Sequence, residues 1–240
     1  GRFSLWSSVG LSAAARIGPD RWQRMLAGAE QADKLLTGDL TASPACALAR
    51  VLDWLVRSGG FDTLGVVSYD PALRLLAEYL QQLVMESLGK SVDLSGAPIS
   101  AHTSPLVFGG AGTDLQHSLF QALHQGTTRH PMLLLGSVKC GEGPDAWSRD
   151  QLSHLLGQAS ALVQGKPAED RSRALPGNNP VVLMLARAVE PESVGELLAN
   201  FEHAVYLLGV IWGVNVLDQW GVEEGKRLAA EFGSVLDGRG

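Results

Sequence analysis

Short apolar runs alternate with longer segments of helical period along this 240-residue chain. Three of the runs are short and rich in aliphatic residues, which is typical of strands buried on both faces. They are TLGVVSY (63–69), MLLLGSV (132–138) and VVLML (181–185). Because helical segments separate these runs, the pattern predicts an α/β fold with a parallel sheet wrapped on both faces.

Helices are predicted wherever apolar positions follow the helical period and end signals flank them. The first three predicted helices run from Pro19 to Ala32, from Pro44 to the Gly59–Gly60 pair, and onward from Pro71. The next two run through 114–126, with Asp114 as the cap, and from a Ser148–Gln151 capping box to Gln164. The last two run from Pro191 to about Trp212 and over the final residues. Two of them have a predicted inward face, made of Leu48, Val51, Leu52 and Leu55 in one and of Leu75, Leu76, Tyr79, Leu80 and Leu83 in the other.

The segment Lys90–Thr113 has little period and many Ser, Gly and Pro residues, so it is predicted to be a long loop. Its glycines at 109–112 do not complete a dinucleotide-binding fingerprint, because Leu115 stands where a further glycine is needed and no strand is predicted before them. A nicotinamide cofactor is therefore not expected.

Composition narrows the possible partners. A hydrophobic share of 45%, a charged share of 18% and a net charge of −6 are those of an ordinary globular protein, and no basic run offers a track for nucleic acid. The apolar run Ala204–Leu217 is too short to cross a bilayer and is predicted to be a buried helix, so no membrane partner is expected. Cys46 and Cys140 form no disulfide framework and no metal-like spacing, which favours a reducing, cytoplasmic location.

Candidate chemistry rests on scattered polar residues, since no phosphate loop, HExxH or GxSxG motif occurs. The candidates are Arg2, Gln82, Glu86, His117, Gln219 and Lys226. Gln82 and Glu86 are four apart on a predicted helix, so both project from one face. Five of the candidates also have a simple structural explanation: Glu86 as a solvated charge, Arg2 as a terminal charge, His117 bonded to backbone, Gln219 capping a turn and Lys226 paired with Glu223.

Four stretches and their order resemble the phosphoglucose isomerase family. They are GRFSLWSSVG, QQLVMESLGK, GTDLQHSLFQALHQGT and FEHAVYLLGVIWGVNVLDQWGVEEGK. The resemblance covers the whole chain but only the rear half of a typical member, and the abrupt start at GRFS indicates a fragment. It implies a second sugar-isomerase type domain, a doubly wound parallel sheet over residues 1–189, followed by a C-terminal helical segment over 190–240 that packs on it.

The resemblance also implies roles for the six candidates. Glu86 falls on the catalytic base, and His117 on a ring-opening histidine that enters the site of the neighbouring subunit, so a homodimer is implied. Lys226 falls on a catalytic lysine, and the substrate-binding positions fall on Arg2, Gln82 and Gln219. The departures are Leu88 where the family has Asn, Asp114 and Leu115 where Asn and Gly are usual, Leu217 where an aromatic is usual, and Asn179 where Arg commonly follows Gly-Asn.

The implied reaction is the interconversion of glucose 6-phosphate and fructose 6-phosphate through an enediolate, with no cofactor and no metal. Such a shift needs one base, a positive group for the enediolate and an acid–base pair for the ring, and the candidate residues supply these groups. The family's phosphate loop lies in the front half, so the isolated chain is expected to be inactive. Two alternatives stay open: a non-catalytic sugar-phosphate-binding domain, and an isomerase for another sugar phosphate such as mannose 6-phosphate.

Overall fold

The computed structural model describes residues 1–139 and 145–237, and Cys140 lies outside them. The helices there are α1 (Leu11–Ile17), α2 (Pro19–Thr37), α3 (Pro44–Asp53), α4 (Leu76–Leu80), α5 (Gly112–Leu115), α6 (Phe120–Gln125), α7 (Asp145–Gln164), α8 (Pro191–Trp212) and α9 (Glu223–Leu236). The strands are β1 (Thr63–Ser68), β2 (Leu106–Ala111), β3 (Met132–Lys139) and β4 (Val181–Ala188). Wide π-helical turns continue α3 over Trp54–Ser58 and α4 over Gln81–Glu86, and 3₁₀ turns lie at Ser8–Gly10, Pro71–Leu73, Arg171–Arg173 and Trp220–Val222.

The strands form a parallel sheet in the order β2-β1-β3-β4. The chain moves from β1 to β2 on one side and then crosses to β3 and β4 on the other, so the sheet is doubly wound. The predicted fold class, a doubly wound parallel sheet with a helical C-terminal tail, is confirmed.

Alternate side chains of β3 enter two hydrophobic cores, which explains why its sequence is a continuous apolar run. Leu133 and Leu135 join α3, α4 and α8 on one face, whereas Met132 and Leu134 join α6 and α7 on the other. Strand β4 is different. It was predicted to be buried, but Leu183 and Leu185 are exposed because β4 forms an edge of the sheet.

The predicted loop at 90–113 is wrong in its second part, where β2 pairs with β1 in register from Thr63–Leu106 to Ser68–Ala111. Gly109 and Gly110 therefore lie in a strand. An added Cβ at Gly109 would lie 1.8 Å from the carbonyl oxygen of Val66, so the close approach of the two strands requires glycine there. Glycines carry no side chain, and for that reason the apolar pattern did not indicate a strand.

Three helix details also differ from the prediction. The helix expected over 114–126 is two short helices, α5 and α6, and Asp114 lies in the first turn of α5 without a capping bond from its side chain. Helix α7 begins three residues before Ser148, which is buried inside it rather than at its N-cap. Val51 and Leu75, predicted to face inward, are exposed.

Helix α8 belongs to the main core together with β1 and α3. It is long and apolar enough to cross a membrane by length and composition, and half of its most apolar window is buried inside the protein. Helix α9 contributes no buried residue. The division between residues 1–189 and 190–240 stays a prediction.

Candidate functional site

An ion pair between Glu86 and Arg2 forms the centre of the candidate site. The Nε of Arg2 lies 3.2 Å from Oε1 of Glu86, and both side chains are mostly buried, with exposed fractions of 12% and 19%. Glu86 is the last residue of the π-helical turn that continues α4, and Arg2 comes from the first turn of the chain. Short π-helical turns within helices are frequent at functional sites.

The two terminal nitrogens of Arg2 bind the loop that follows α8, and Nη1 also donates to Oγ of Ser87 at 3.4 Å. Its Nη1 donates to the carbonyl oxygens of Val216 and Asp218, the latter at 3.3 Å, and its Nη2 donates to that of Leu217 at 2.8 Å. The planar guanidinium presents five N–H donors in a fixed arrangement, so one side chain can serve successive carbonyls and a carboxylate. Arg2 therefore joins the catalytic candidate Glu86 to residues 216–218.

Lys90 and Asp218 complete this arrangement, and neither is among the site residues predicted from the sequence. The Nζ of Lys90 donates to the carbonyl oxygen of Glu86 at 2.9 Å, and it lies 2.8 Å from both the carbonyl oxygen and Oδ1 of Asp218. Both residues are close in sequence to predicted site residues, since Lys90 stands four residues after Glu86 and Asp218 stands directly before Gln219. The spacing alone could not show that the two meet.

The other four predicted residues lie around this centre or apart from it. Gln82 is exposed and lines a cavity of about 410 Å³ that Arg2 also borders. Gln219 is exposed and follows Asp218 directly. His117 is exposed between α5 and α6, and Lys226 is exposed on α9, where its Nζ lies 2.9 Å from Oε1 of Glu223. Within the described residues, the structure brings Arg2 and Glu86 into contact but places neither His117 nor Lys226 in an ion pair with Glu86.

A buried carboxyl group on α8 binds side chains from the first residues of the chain and from α4. Glu202 on α8 accepts hydrogen bonds from Nε1 of Trp6 at 2.6 Å and from the hydroxyl of Tyr79 at 2.8 Å. Burial raises the pKa of the Glu202 carboxyl, while the hydrogen bonds from Tyr79 and Trp6 act to lower it and Asp33 raises it further. Burial, followed by the nearby Glu202 carboxylate, also raises the pKa of Tyr79.

This network fixes the first residues of the chain against α8 and α4. Trp6 is four residues after Arg2, and Tyr79 precedes the π-helical turn that ends at Glu86. The hydroxyl of Tyr79 also lies 3.4 Å from the carbonyl oxygen of Arg2. Glu202 thereby ties together the two segments that carry the ion pair.

The site contains groups for proton transfer and for stabilising negative charge. Glu86 is a carboxylate that can act as a general base, and Arg2 is a permanent cation beside it. The described residues contain no group of three or more His, Cys, Asp or Glu side chains that could hold a metal ion. A second cavity, of about 500 Å³, lies at the carboxyl edge of β3 and β4 and has a largely apolar lining that includes Leu135, Met184 and Phe201.

Comparison with known proteins relates the chain to one family. The family model described as phosphoglucose isomerase matches residues 1–239. Two proteins named glucose-6-phosphate isomerase are similar to this chain. The one from Xylella fastidiosa (strain M12) is 43% identical, and the match covers 99% of this chain and 48% of that protein. The one from Stenotrophomonas maltophilia (strain R551-3) is 44% identical, and the match covers 99% of this chain and 47% of that protein. The chain thus spans about half the length of these curated relatives.

The same relation is seen in three dimensions. The crystal structure of a glucose-6-phosphate isomerase from Chlamydia trachomatis D/UW-3/Cx superposes with a TM-score of 0.83 and 33% sequence identity, covering 91% of this chain and 44% of that one.

Proposed function

Because this chain belongs to the phosphoglucose isomerase family, we propose that it carries the proton-transfer site of a glucose-6-phosphate isomerase. The observation that supports this most directly is the partly buried pair of Glu86 and Arg2. The complete protein would interconvert glucose 6-phosphate and fructose 6-phosphate, with residues beyond this chain supplying the phosphate site.

In this proposal Glu86 is the base. Its carboxylate removes the proton from C2 of the open-chain aldose. The electron pair of that C–H bond forms the C1–C2 double bond, and the π electrons of the C1 carbonyl move to O1, which gives the enediolate. The hydroxyl proton of O2 then passes to O1, and the same carboxyl returns its proton to C1 as the C2–O2 bond becomes the carbonyl of the ketose. Arg2 stabilises the negative oxygen of the intermediate, because its charge persists at every physiological pH. No electron leaves the substrate, so no redox cofactor is required.

His117 and Lys226 are proposed to exchange protons with the ring and hydroxyl oxygens of the sugar. The exposure of His117 supports a role at the site of a neighbouring subunit, since a side chain on the surface can reach a second copy. Lys226 is paired with Glu223 on the exposed helix α9, so substrate binding would have to release it from that pair. Gln82 and Gln219 would hold substrate hydroxyl groups. The whole protein is proposed to work as a cytoplasmic homodimer.

Substitution of Glu86 tests the proposed base. In the complete protein, Glu86→Gln should lower kcat by at least about 10²-fold, because general acid–base groups contribute roughly 10² to 10⁴ in rate. The KM for fructose 6-phosphate should stay near that of the wild type, since glutamine keeps the shape and polarity of the site. The measurement is a coupled assay that oxidises glucose 6-phosphate as it forms.

Glu78→Gln is the matched control, because Glu78 lies exposed on α4 and should leave turnover unchanged. Wild-type turnover in Glu86→Gln would remove Glu86 from the role of base. A complete protein that binds fructose 6-phosphate but does not convert it would favour the alternative of a non-catalytic sugar-phosphate-binding domain.

A further inference from the structure

The ammonium of Lys90 lies among three acceptor oxygens of the protein. The acceptors are the carbonyl oxygen of Glu86, at 2.9 Å, and the carbonyl oxygen and Oδ1 of Asp218, each at 2.8 Å. Only 13% of the Lys90 side chain is exposed. A mostly buried ammonium is costly unless it is paired and hydrogen-bonded, and here one carboxylate and two carbonyls meet that need.

Two cations hold the same loop. Arg2 binds the carbonyl oxygens of Val216, Leu217 and Asp218, and Lys90 also binds that of Asp218. We call Arg2, Lys90 and residues 216–218 the cation clasp. Three successive carbonyls therefore point at the two cations, which fixes the backbone of the loop just before Gln219.

The clasp also contacts Glu86, at both its main chain and its side chain. Lys90 binds the main-chain carbonyl of Glu86, and Arg2 binds the Glu86 carboxylate. Movement of residues 216–218 would break contacts with both cations at once. The position of Gln219 relative to the Glu86 carboxyl is thus coupled to Lys90, although Lys90 makes no contact with that carboxyl in the described residues.

We propose that Lys90 is a positioning residue, which acts through Asp218 to hold Gln219 at the site of proton transfer. The expected effect of Lys90 on the reaction rate rests on the proposed isomerase function. Its expected effect on the mobility of the loop does not. Removal of the ammonium would leave the Asp218 carboxylate without its partner and free the end of the loop. The loop would then sample positions in which Gln219 no longer meets the substrate.

The test is Lys90→Met in the complete protein, since methionine has a similar length without the charge. We expect kcat/KM to fall by about 10- to 100-fold, in the range that a displacement of about 1 Å costs at an active site. Backbone amides of residues 217–222 should exchange with deuterium faster than in the wild type, whereas those of β1 should not. Lys90→Arg, which keeps a charged donor, should restore much of both properties.

Lys34→Met is the matched control. Lys34 pairs with Glu30 at 2.6 Å on the exposed surface of α2, so the same substitution removes a salt bridge far less buried than that of Lys90. Neither turnover nor exchange in 217–222 should change in this variant.

A second background separates positioning from a general loss of stability. If Lys90 acts through Gln219, then Lys90→Met should lower kcat/KM much less in a Gln219→Ala protein than in the wild type. An equal loss in both backgrounds would overturn the proposal, and so would unchanged exchange in 217–222. If Lys90→Met fails to fold, Asp218→Asn replaces it, because asparagine removes the carboxylate charge and keeps the main-chain carbonyl acceptor. Amide exchange in residues 217–222 should then be faster than in the wild type. Exchange at the wild-type rate would contradict the proposed role of Lys90 and Asp218.

The exchange measurement also separates this inference from the proposed function. If Glu86→Gln retains full turnover, the role of the base is lost. The faster exchange of residues 217–222 in Lys90→Met would still be expected, because it depends only on the contacts of the clasp.

Discussion

Individual buried side chains hold the first residues of this chain against the rest of the fold. Glu202 is the clearest case, since its carboxyl holds Trp6 and Tyr79 in a place with little access to water. Both donors are neutral, so when the carboxyl is ionised its charge is compensated only by hydrogen bonds. The cost of that burial should therefore depend on pH.

Replacement of Glu202 by glutamine should make this dependence visible. Folding raises the pKa of Glu202 above its ordinary value of 4.5, so folding favours the protonated form. The contribution of this group is fully present below about pH 4.5 and is lost as the pH rises through the raised pKa. Relative to Glu202→Gln, which does not titrate, the wild type should lose free energy of unfolding between pH 4 and pH 8.

Urea unfolding of both proteins across this pH range measures the effect. Other titrating groups near Glu202, such as Asp33 and its partner His203 at 2.9 Å, are present in both proteins and largely cancel in the difference. A stability difference that stays constant with pH would show that the pKa of Glu202 is not raised.

Close contact between helices α2 and α8 sets the position of Glu202. The two helices meet at paired glycines: an added Cβ at Gly28 would lie 1.9 Å from the carbonyl oxygen of Glu192, and one at Gly195 would lie 1.9 Å from that of Met25. Both obstacles are backbone atoms, which cannot turn aside. Only glycine allows the helices to approach so closely.

Gly195→Ala should therefore destabilise the protein by about 1–3 kcal/mol, as overpacking of a well-packed contact does. Chemical unfolding measures the loss. The control is Gly157→Ala in the exposed part of α7, where an added Cβ would meet nothing within 4 Å. That variant should be neutral or more stable by about 0.5–1 kcal/mol, because alanine favours helix. Equal stability of both variants would argue against the close helix contact.

The turn Gln81–Glu86 shows how an element can depart from its sequence pattern at a site. The spacing of apolar residues predicts a helix with Glu86 near its end, and that position is confirmed. The wide π-helical form is not encoded in that spacing. It is accompanied by tertiary contacts, with Arg2 at the Glu86 carboxyl and Lys90 at its carbonyl.

At the scale of the whole molecule, the proposed dimer has a sharp test. If His117 serves the neighbouring subunit, a mixed dimer of Glu86→Gln and His117→Ala subunits has one site with both residues intact. Two inactive proteins, unfolded and refolded together in equal amounts, should then recover up to about a quarter of wild-type activity through random pairing in a two-fold dimer. The coupled isomerase assay reads the recovery.

Each variant refolded alone is the control and should stay inactive. Absence of recovery, in mixtures shown by mass spectrometry to contain the mixed dimer, would place His117 outside the neighbouring site. It would leave the role of Glu86 unaffected, since that role is tested by the single variant.

The sequence by itself determined most of the elements of this protein. The apolar runs at 63–69, 132–138 and 181–185 are strands, and the periodic segments that begin at Pro19, Pro44 and Pro191 are helices. These features depend on local rules: which positions are apolar, and which residues begin or end a helix. The order of strands and helices then indicates a doubly wound α/β sheet.

Only the tertiary structure decided β2 and the contacts of the site. The sequence did not predict strand β2, because no local pattern of its residues indicates a strand. Its glycine at 109 is explained by the close approach of β1, which leaves no room for a Cβ atom. Arg2 and Val216 are 214 residues apart, and Lys90 and Asp218 are 128 apart. Periodicity tells which face of an element is buried, but it says nothing about which distant residues that face will meet. That choice depends on the packing of the whole chain, and here it joins Arg2 to Glu86 and Lys90 to Asp218.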